Sequence, residues 1–472
     1  MIFGGCRAAR CGPDRADVSA QLTERMGQTL PGCADPSQII LPPGASFEDG
    51  ITEDEAVAIA LWNNAAFQEL LADLGIARGD LIQAGLLPNP EFVYFVPMSD
   101  KPYKYLLDFP IESLWLRSIR IKSAANEADR TTERLTQAGL DLMRDVRQAY
   151  ADVLLARERL EIARESEKLR GRVAGLAEKR LQAGDVSPQE AGVARIDALQ
   201  AEQEAARLSF DLPILEERLR HLLGVGSVAA PLPLDPAAPP ACQAFDVDAL
   251  VGEATCHRPD ALAAASAVTA AEARVKLAKV GWVRLLGIAD ATSGTESHVL
   301  GPAMRVTVPL FHHNQGGLAR AEGELDRAAW NQKSVANQIT LDVKRAYWQH
   351  QQTCAEMTIL RAKTRPEAES NVRRAEAGYR EGNVPVFFVL EANRRVLEAY
   401  LREAQLNSDL RRYYAELERS VGRRLVSCSP AEPLDPNGGA PPTKPADLPA
   451  PPGEPVPSLN LNRQAANSWR PQ

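Results

Sequence analysis

From about Ser118 to Gln182 no proline appears, and apolar residues return at Val146, Ala149, Val153, Ala156 and Leu160. Steps of three and four keep one narrow stripe on one side of a helix. A helix of roughly 65 residues would be on the order of 100 Å long. The turn AGDVSP follows, and then a run with Ala194, Ala198, Ala201, Ala205, Leu208, Leu212, Leu215, Leu219 and Leu222 in the same rhythm. That is a heptad seam, alanine in its first half, so a neighbouring helix can approach closely. Pro213 interrupts it and predicts a local kink. The spacing therefore predicts helices over 118–182 and 188–223, joined by a tight turn.

Ahead of them, ITEDEAVAIALWNN opens with Thr52 and, three residues on, Glu55. This capping box predicts a helix from residue 51 to about residue 84. GLLPNP ends it, because Pro88 and Pro90 cannot continue a helix interior. In the next stretch Phe92, Tyr94 and Val96 share one face. Tyr103, Tyr105, Leu107 and Phe109 share another, with Lys104 and Asp108 between them. Period-two alternation on both sides of a polar loop predicts a β-hairpin over 91–111.

The same order then recurs. A helix is expected over 246–281, and a hairpin over 284–310 with Met304, Val306 and Val308 opposite Arg305 and Thr307. A long helix over 317–381 and a return helix over 386–424 follow, the latter with Leu406, Leu410, Tyr413 and Leu417 at heptad spacing. VRQAY (Val146 to Tyr150) pairs with VKRAY (Val343 to Tyr347) at an offset of 197 residues, and Gly184 with Gly382 and Gly224 with Gly422 at 198. The chain thus reads as a duplication: an extended leader over 1–50, a first repeat over 51–225, a proline-rich linker over 226–245, a second repeat over 246–425 and a proline-rich, disordered tail over 426–472. The expected fold class is mainly α with a small β part.

Composition narrows the function. Net charge is −8, so nothing suggests nucleic acid as a partner. No run of 18 or more apolar residues exists, so a membrane-spanning form must be a β-barrel. Seven scattered cysteines without a C-x-x-C pair support neither a disulfide framework nor a zinc site. Cys6 follows Gly-Gly, a context like the end of a lipoprotein signal, although MIFGG is too short to be one. No catalytic motif is present, which leaves an enzyme reading without support, and no cofactor is implied.

Four strands cannot close a conducting barrel, but three chains supply twelve, which can. Alternation of an apolar with a charged face suits lipid outside and water inside. Narrow, small-residue seams suit helices packed side by side in a tube rather than a solid bundle.

The chain resembles the TolC family of outer-membrane efflux ducts. The resemblance rests on ITEDEAVAIALWNN, QAGLLPNP, DFPI, VRQAY and RLQAGDVS in the first repeat, and on RPD, VPL, VKRAY and YREGNVPVFFVLEA in the second. It covers roughly residues 51–425, and GLLPNP looks most like the cation-efflux, CzcC-like branch. Two departures stand out: Ala65 follows Asn64 where the family usually has proline, and no signal peptide opens the sequence. The resemblance implies a homotrimer whose β-barrel sits in outer-membrane lipid and continues into a periplasmic α-helical barrel. It implies docking on a periplasmic adaptor and an inner-membrane pump. Carried over, the adaptor-docking tips are Gly184, Asp185, Val186 and Ser187, with Gly382, Asn383, Val384 and Pro385. The pore constriction falls on Phe388 and Glu391, where the family often has two carboxylates. Cys6 becomes the candidate lipid attachment.

Blander readings compete. Both tip glycines are also ordinary helix caps. Glu391 alone reads as a solvated helix residue, and His312 and His313 as loop residues rather than metal ligands. The alternative function is a soluble or periplasmic coiled-coil scaffold, which would have no use for strands with an aromatic face.

Overall fold

The computed structural model describes residues 12–32, 38–47, 50–96, 103–226, 232–235, 238–281, 285–293, 298–307 and 310–425. Cys6 and the proline-rich tail lie outside them. The first element, α1 (Arg15–Met26), falls where an extended leader was expected. Asp14 and Asp17 form a capping box at its start, and Val18, Leu22 and Met26 make a buried stripe at steps of four. The stripe was present in the sequence, hidden by the surrounding glycine, proline and cysteine.

The expected single helix after residue 51 is two, α2 (Glu53–Asn63) and α3 (Ala65–Gly85). Asn64 divides them: its backbone is extended, and its side chain accepts from the Phe67 amide at 3.0 Å. Strands β1 (Glu91–Phe95) and β2 (Tyr103–Pro110) follow. Then come α4 (Ser113–Ala183), of 71 residues, and α5 (Pro188–Leu223), which runs on through Pro213.

The second half opens with α6 (Val247–His257) and α7 (Pro259–Val280), separated by Arg258. A residue before proline is pushed out of the helical region, and Arg258 sits at ψ 137°. Strands β3 (Leu285–Ser293) and β4 (His298–Val306) lead to α8 (Gln315–Ile359). Here the expected uninterrupted helix is broken by a π-turn at Leu360–Thr364 before α9 (Arg365–Arg380). Pro366 lacks the amide that would bond four residues back, and widening the preceding turn accommodates its ring. Helix α10 (Val386–Val421) closes the repeat.

The α4 seam is buried throughout, whereas on α5 the seam positions Ala198, Leu212, Leu215 and Leu222 are half-buried. Val146, Ala149 and Val153 of α4 share a core with Leu219 of α5, Leu160 clusters with Ala205 and Leu208, and nearer the tip Ala177 clusters with Ala194. A main core joins α1 to α5 with Leu232 and Leu234 of the linker, and a second gathers Leu250, Ile339, Val343, Leu417 and Val421. The repeats are locked to each other by charge as well. Arg147, buried on α4, pairs with Glu418 on α10 and with Asp54 (3.2 Å) and Glu53 (3.5 Å) on α2. Arg411 reaches Glu53 at 3.5 Å, and Arg424 reaches Asp54 at 2.8 Å. Burial pushes the Glu53 carboxyl up against the pull of Arg147 and Arg411. Burial also acts to raise Asp54, but the Arg424 hydrogen bond and the Arg147 charge outweigh it and hold Asp54 below its usual value.

The four strands form one antiparallel sheet in the order β1-β2-β3-β4. Strand β2 pairs with β3, so the hairpins of the two repeats join directly. Register puts Phe92, Tyr94, Tyr103 and Tyr105 on one face, where Tyr94 stacks on Tyr105 at 5.1 Å between ring centroids. The other face carries ion pairs, Lys104–Asp290 at 2.9 Å and Arg305–Asp108 at 3.7 Å. No helix among the described residues is long and apolar enough to cross a membrane.

One expectation about cysteine is overturned. Cys242 of the linker and Cys354 of α8 are joined by a disulfide, 112 residues apart in sequence and 5.7 Å between Cα atoms. A pair this distant carries no spacing signal, since only the packing of the linker on α8 brings the two together.

Candidate functional site at the helical tips

At the first tip Gly184 adopts a left-handed φ of 83° and ends α4. Its amide donates to the Leu181 carbonyl (3.0 Å) and that of Asp185 to the Arg180 carbonyl (2.9 Å), so the last carbonyls of the helix are satisfied. Ser187 then caps α5, its hydroxyl accepting from the Glu190 amide at 3.2 Å, with Pro188 at the first helical position. Asp185 and Ser187 are exposed and Val186 is half-buried. Two chain-reversing caps thus sit back to back within four residues.

The second tip repeats the first half of this device. Gly382 has φ 78°, its amide reaches the Tyr379 carbonyl (3.1 Å), and the Asn383 amide reaches that of Gly378 (2.8 Å). Its second half differs: Pro385 occupies the cap position and offers no side-chain acceptor. Gly382, Asn383 and Pro385 are exposed, and Val384 packs against the cluster of Tyr379, Val386 and Val389.

The tips touch one another. Val173 of α4 joins that second-tip cluster, the Arg180 guanidinium lies 4.4 Å from the Tyr379 ring centre, and the Val386 amide donates to Glu190 at 3.4 Å. A polar tip and an apolar tip therefore form one surface.

Just past the second tip Phe387 and Phe388 are both exposed and meet edge to face at 5.9 Å. Sequence reasoning singled out Phe388 and passed over Phe387, although VFFVLE contained both. Two adjacent residues lie about 100° apart around a helix, so the pair widens the exposed apolar arc. Glu391, one turn on, is half-buried and ion-paired with Arg395 at 2.9 Å. Its charge is thus partly compensated, as the i, i+4 spacing of Glu391 and Arg395 already allowed. His312 and His313 are exposed where β4 gives way to α8, and among the described residues no group of three potential metal ligands stands ready to hold an ion.

A small antiparallel sheet thus leads into two long helical hairpins that end in these tips. The model of the outer membrane efflux protein family matches residues 107–225 and 250–423. The chain belongs to this family. The cobalt-zinc-cadmium resistance protein CzcC of Cupriavidus metallidurans is 28% identical over 395 residues, spanning 79% of this chain and 90% of that protein. Among solved structures, the outer-membrane channel OprN superposes with a TM-score of 0.69 at 17% identity, covering 90% of this chain and 99% of that one. CusC gives a TM-score of 0.67 at 18% identity, covering 83% and 98%. The TolC-like fold and the outer-membrane location follow, with the long helices as the periplasmic part. The likeness to CzcC agrees with the cation-efflux branch read from GLLPNP.

Proposed function

We propose that this outer membrane efflux protein acts as one third of a passive trimeric exit duct in a tripartite system that exports divalent metal cations. One observation carries the trimer. Among the described residues the sheet's edges, β1 and β4, are unpaired, and it has one face of stacked aromatics and one of charged residues. In lipid an open edge leaves backbone groups unsatisfied, so a spanning sheet must close on itself. Three copies give twelve strands, with the aromatic face toward lipid and Lys104, Asp108, Asp290 and Arg305 toward water. The cation cargo rests on the name of the CzcC relative.

The helices support the same assembly. Phe210 and Ile214 on α5 are 72% and 66% exposed, and Trp330 and Trp348 on α8 are 76% and 62% exposed. Apolar side chains this open on one chain are what neighbouring copies would cover. The double variant Phe210→Glu/Ile214→Glu is expected to keep the helical circular dichroism of the wild type and to migrate as a monomer in mild detergent. A trimer of unchanged heat resistance would remove the proposed contact.

In this duct the tips of Gly184 to Ser187 and Gly382 to Pro385 meet the periplasmic adaptor, which links the duct to its inner-membrane pump. Phe388, with its neighbour Phe387, narrows the pore, and Glu391 sets a partly neutralised acidic ring behind them. Open space surrounds both tip glycines, so a large side chain there strains only the local turn. Gly382→Trp is expected to assemble as a trimer and to lose adaptor-dependent metal resistance in cells. Resistance equal to wild type would show that this tip is not the docking surface.

A further inference from the structure

The disulfide has a third member. His350 lies one helical turn before Cys354 on α8, and its Nε2 faces the Cys354 sulfur at 3.9 Å. His350 is fully buried, and its Nδ1 has no hydrogen-bond partner. The nitrogen turned to the sulfur is Nε2, so a buried imidazole nitrogen and a buried sulfur already face each other across one helical turn. Cys354 is also buried, at 7% exposure, while Cys242 is exposed. The duct reading uses none of these three residues.

We propose that Cys242, Cys354 and His350 form a site for zinc or cadmium that is closed by the disulfide and opened by its reduction. A spacing of four puts His350 and Cys354 on one helix face, and the linker supplies the second sulfur. With zinc–sulfur bonds of ~2.3 Å and zinc–nitrogen bonds of ~2.0–2.1 Å, a tetrahedral site places sulfur and nitrogen about 3.6 Å apart. The His350–Cys354 edge is already close to that. The two sulfurs must part to about 3.7 Å by the same geometry. Cys242, exposed on a loop, is the one free to move. It stays near because the Gln351 side chain donates to the neighbouring Gln243 carbonyl at 2.7 Å, and Phe245 packs on the second core. In the oxidised protein the sulfurs are bonded to each other and no metal site exists among the described residues.

The opening step needs a dithiol reductant, the class of reagent that thiol–disulfide oxidoreductases supply. One of its thiolates attacks the exposed Cys242 sulfur, and Cys354 leaves as a thiolate and takes up a proton. The reductant's second thiol then closes its own disulfide and releases Cys242. Two electrons pass to the protein and two protons with them. Binding one divalent cation returns two protons as both thiols ionise.

The test uses the full chain as purified in detergent. Cys6, Cys11, Cys33, Cys256 and Cys428 are replaced by serine, so that reducing the disulfide leaves Cys242 and Cys354 as the only two thiols of the chain. Cadmium chloride is titrated in, followed by the ultraviolet thiolate-to-cadmium absorption and by proton release. One cadmium and two protons per chain are expected for the reduced protein and none for the unreduced one. Cys242→Ser should abolish the band. His350→Gln, which keeps both thiols, should weaken binding by at least about tenfold. The idea is overturned if unreduced protein gives the same band, if His350→Gln binds as tightly as wild type, or if reduction destroys the helical circular dichroism. None of these readouts depends on transport or on assembly.

Discussion

Replacing Arg147 by methionine is expected to destabilise the protein by about 3–5 kcal/mol, the usual cost of stranding one member of a buried ion pair. Glu418 on α10 is 2% exposed and faces α4, so little solvent is at hand to replace the guanidinium. One of its oxygens is already committed to the Leu425 amide at 2.9 Å. Asp54 and Glu53 would each lose a partner too, but Arg424 and Arg411 remain to them. The double variant Arg147→Met/Glu418→Leu removes the stranded charge and should recover part of the loss, the remainder reflecting the Leu425 amide that loses its acceptor. Thermal unfolding in detergent, followed by circular dichroism at a fixed scan rate, would show the single variant melting several degrees lower than the double. Equal midpoints for the two would mean that Glu418 finds another partner, and the lock between the repeats would then lie elsewhere.

The second large effect concerns a single methyl group. Gly224 ends α5 with φ 73°, and a Cβ there would fall 2.1 Å from the Asn63 carbonyl oxygen and 2.4 Å from its carbon. Both atoms are backbone, in the link between α2 and α3, and that link is held to α5 by the Asn64 side chain donating to the Leu222 carbonyl at 2.9 Å. Neither side can yield without breaking the cap or the link. Gly224→Ala therefore adds a backbone overlap to the left-handed penalty of about 1–2 kcal/mol, and a total above about 4 kcal/mol is expected. Its repeat partner Gly422 has φ 86° but would place a Cβ 3.5 Å from the Arg258 Cγ and 3.6 Å from its Cα, both ordinary contacts. Gly422→Ala should thus cost only the left-handed term. The yield of folded protein in membranes and its melting midpoint separate the two. Similar losses at both glycines would refute the crowding argument.

Much of this molecule was legible before any coordinates. The α4 and α5 spans, the two hairpins, the faces of the strands and the turns at Gly184 and Gly382 all depend on chemistry between residues at most a few positions apart. Heptad steps, period-two alternation, Thr52 with Glu55, and a glycine followed by Ser187 or Pro385 are signals of that range. The misses near the sequence level were of the same local kind. Val18, Leu22 and Met26 marked α1, Pro366 marked the break between α8 and α9, and Phe387 stood beside Phe388.

The sequence by itself thus determined a duplicated chain of long helical hairpins, each carrying a short amphipathic hairpin, and where each turns. Only the tertiary structure decided which residues meet across the repeats. It pairs β2 with β3, Arg147 with Glu418 and Cys242 with Cys354, and it crowds Gly224 while leaving Gly422 free. The physical reason is separation along the chain. Partners as far as 370 residues apart share no period and no motif. They are chosen by how the packed seams bring distant backbones together.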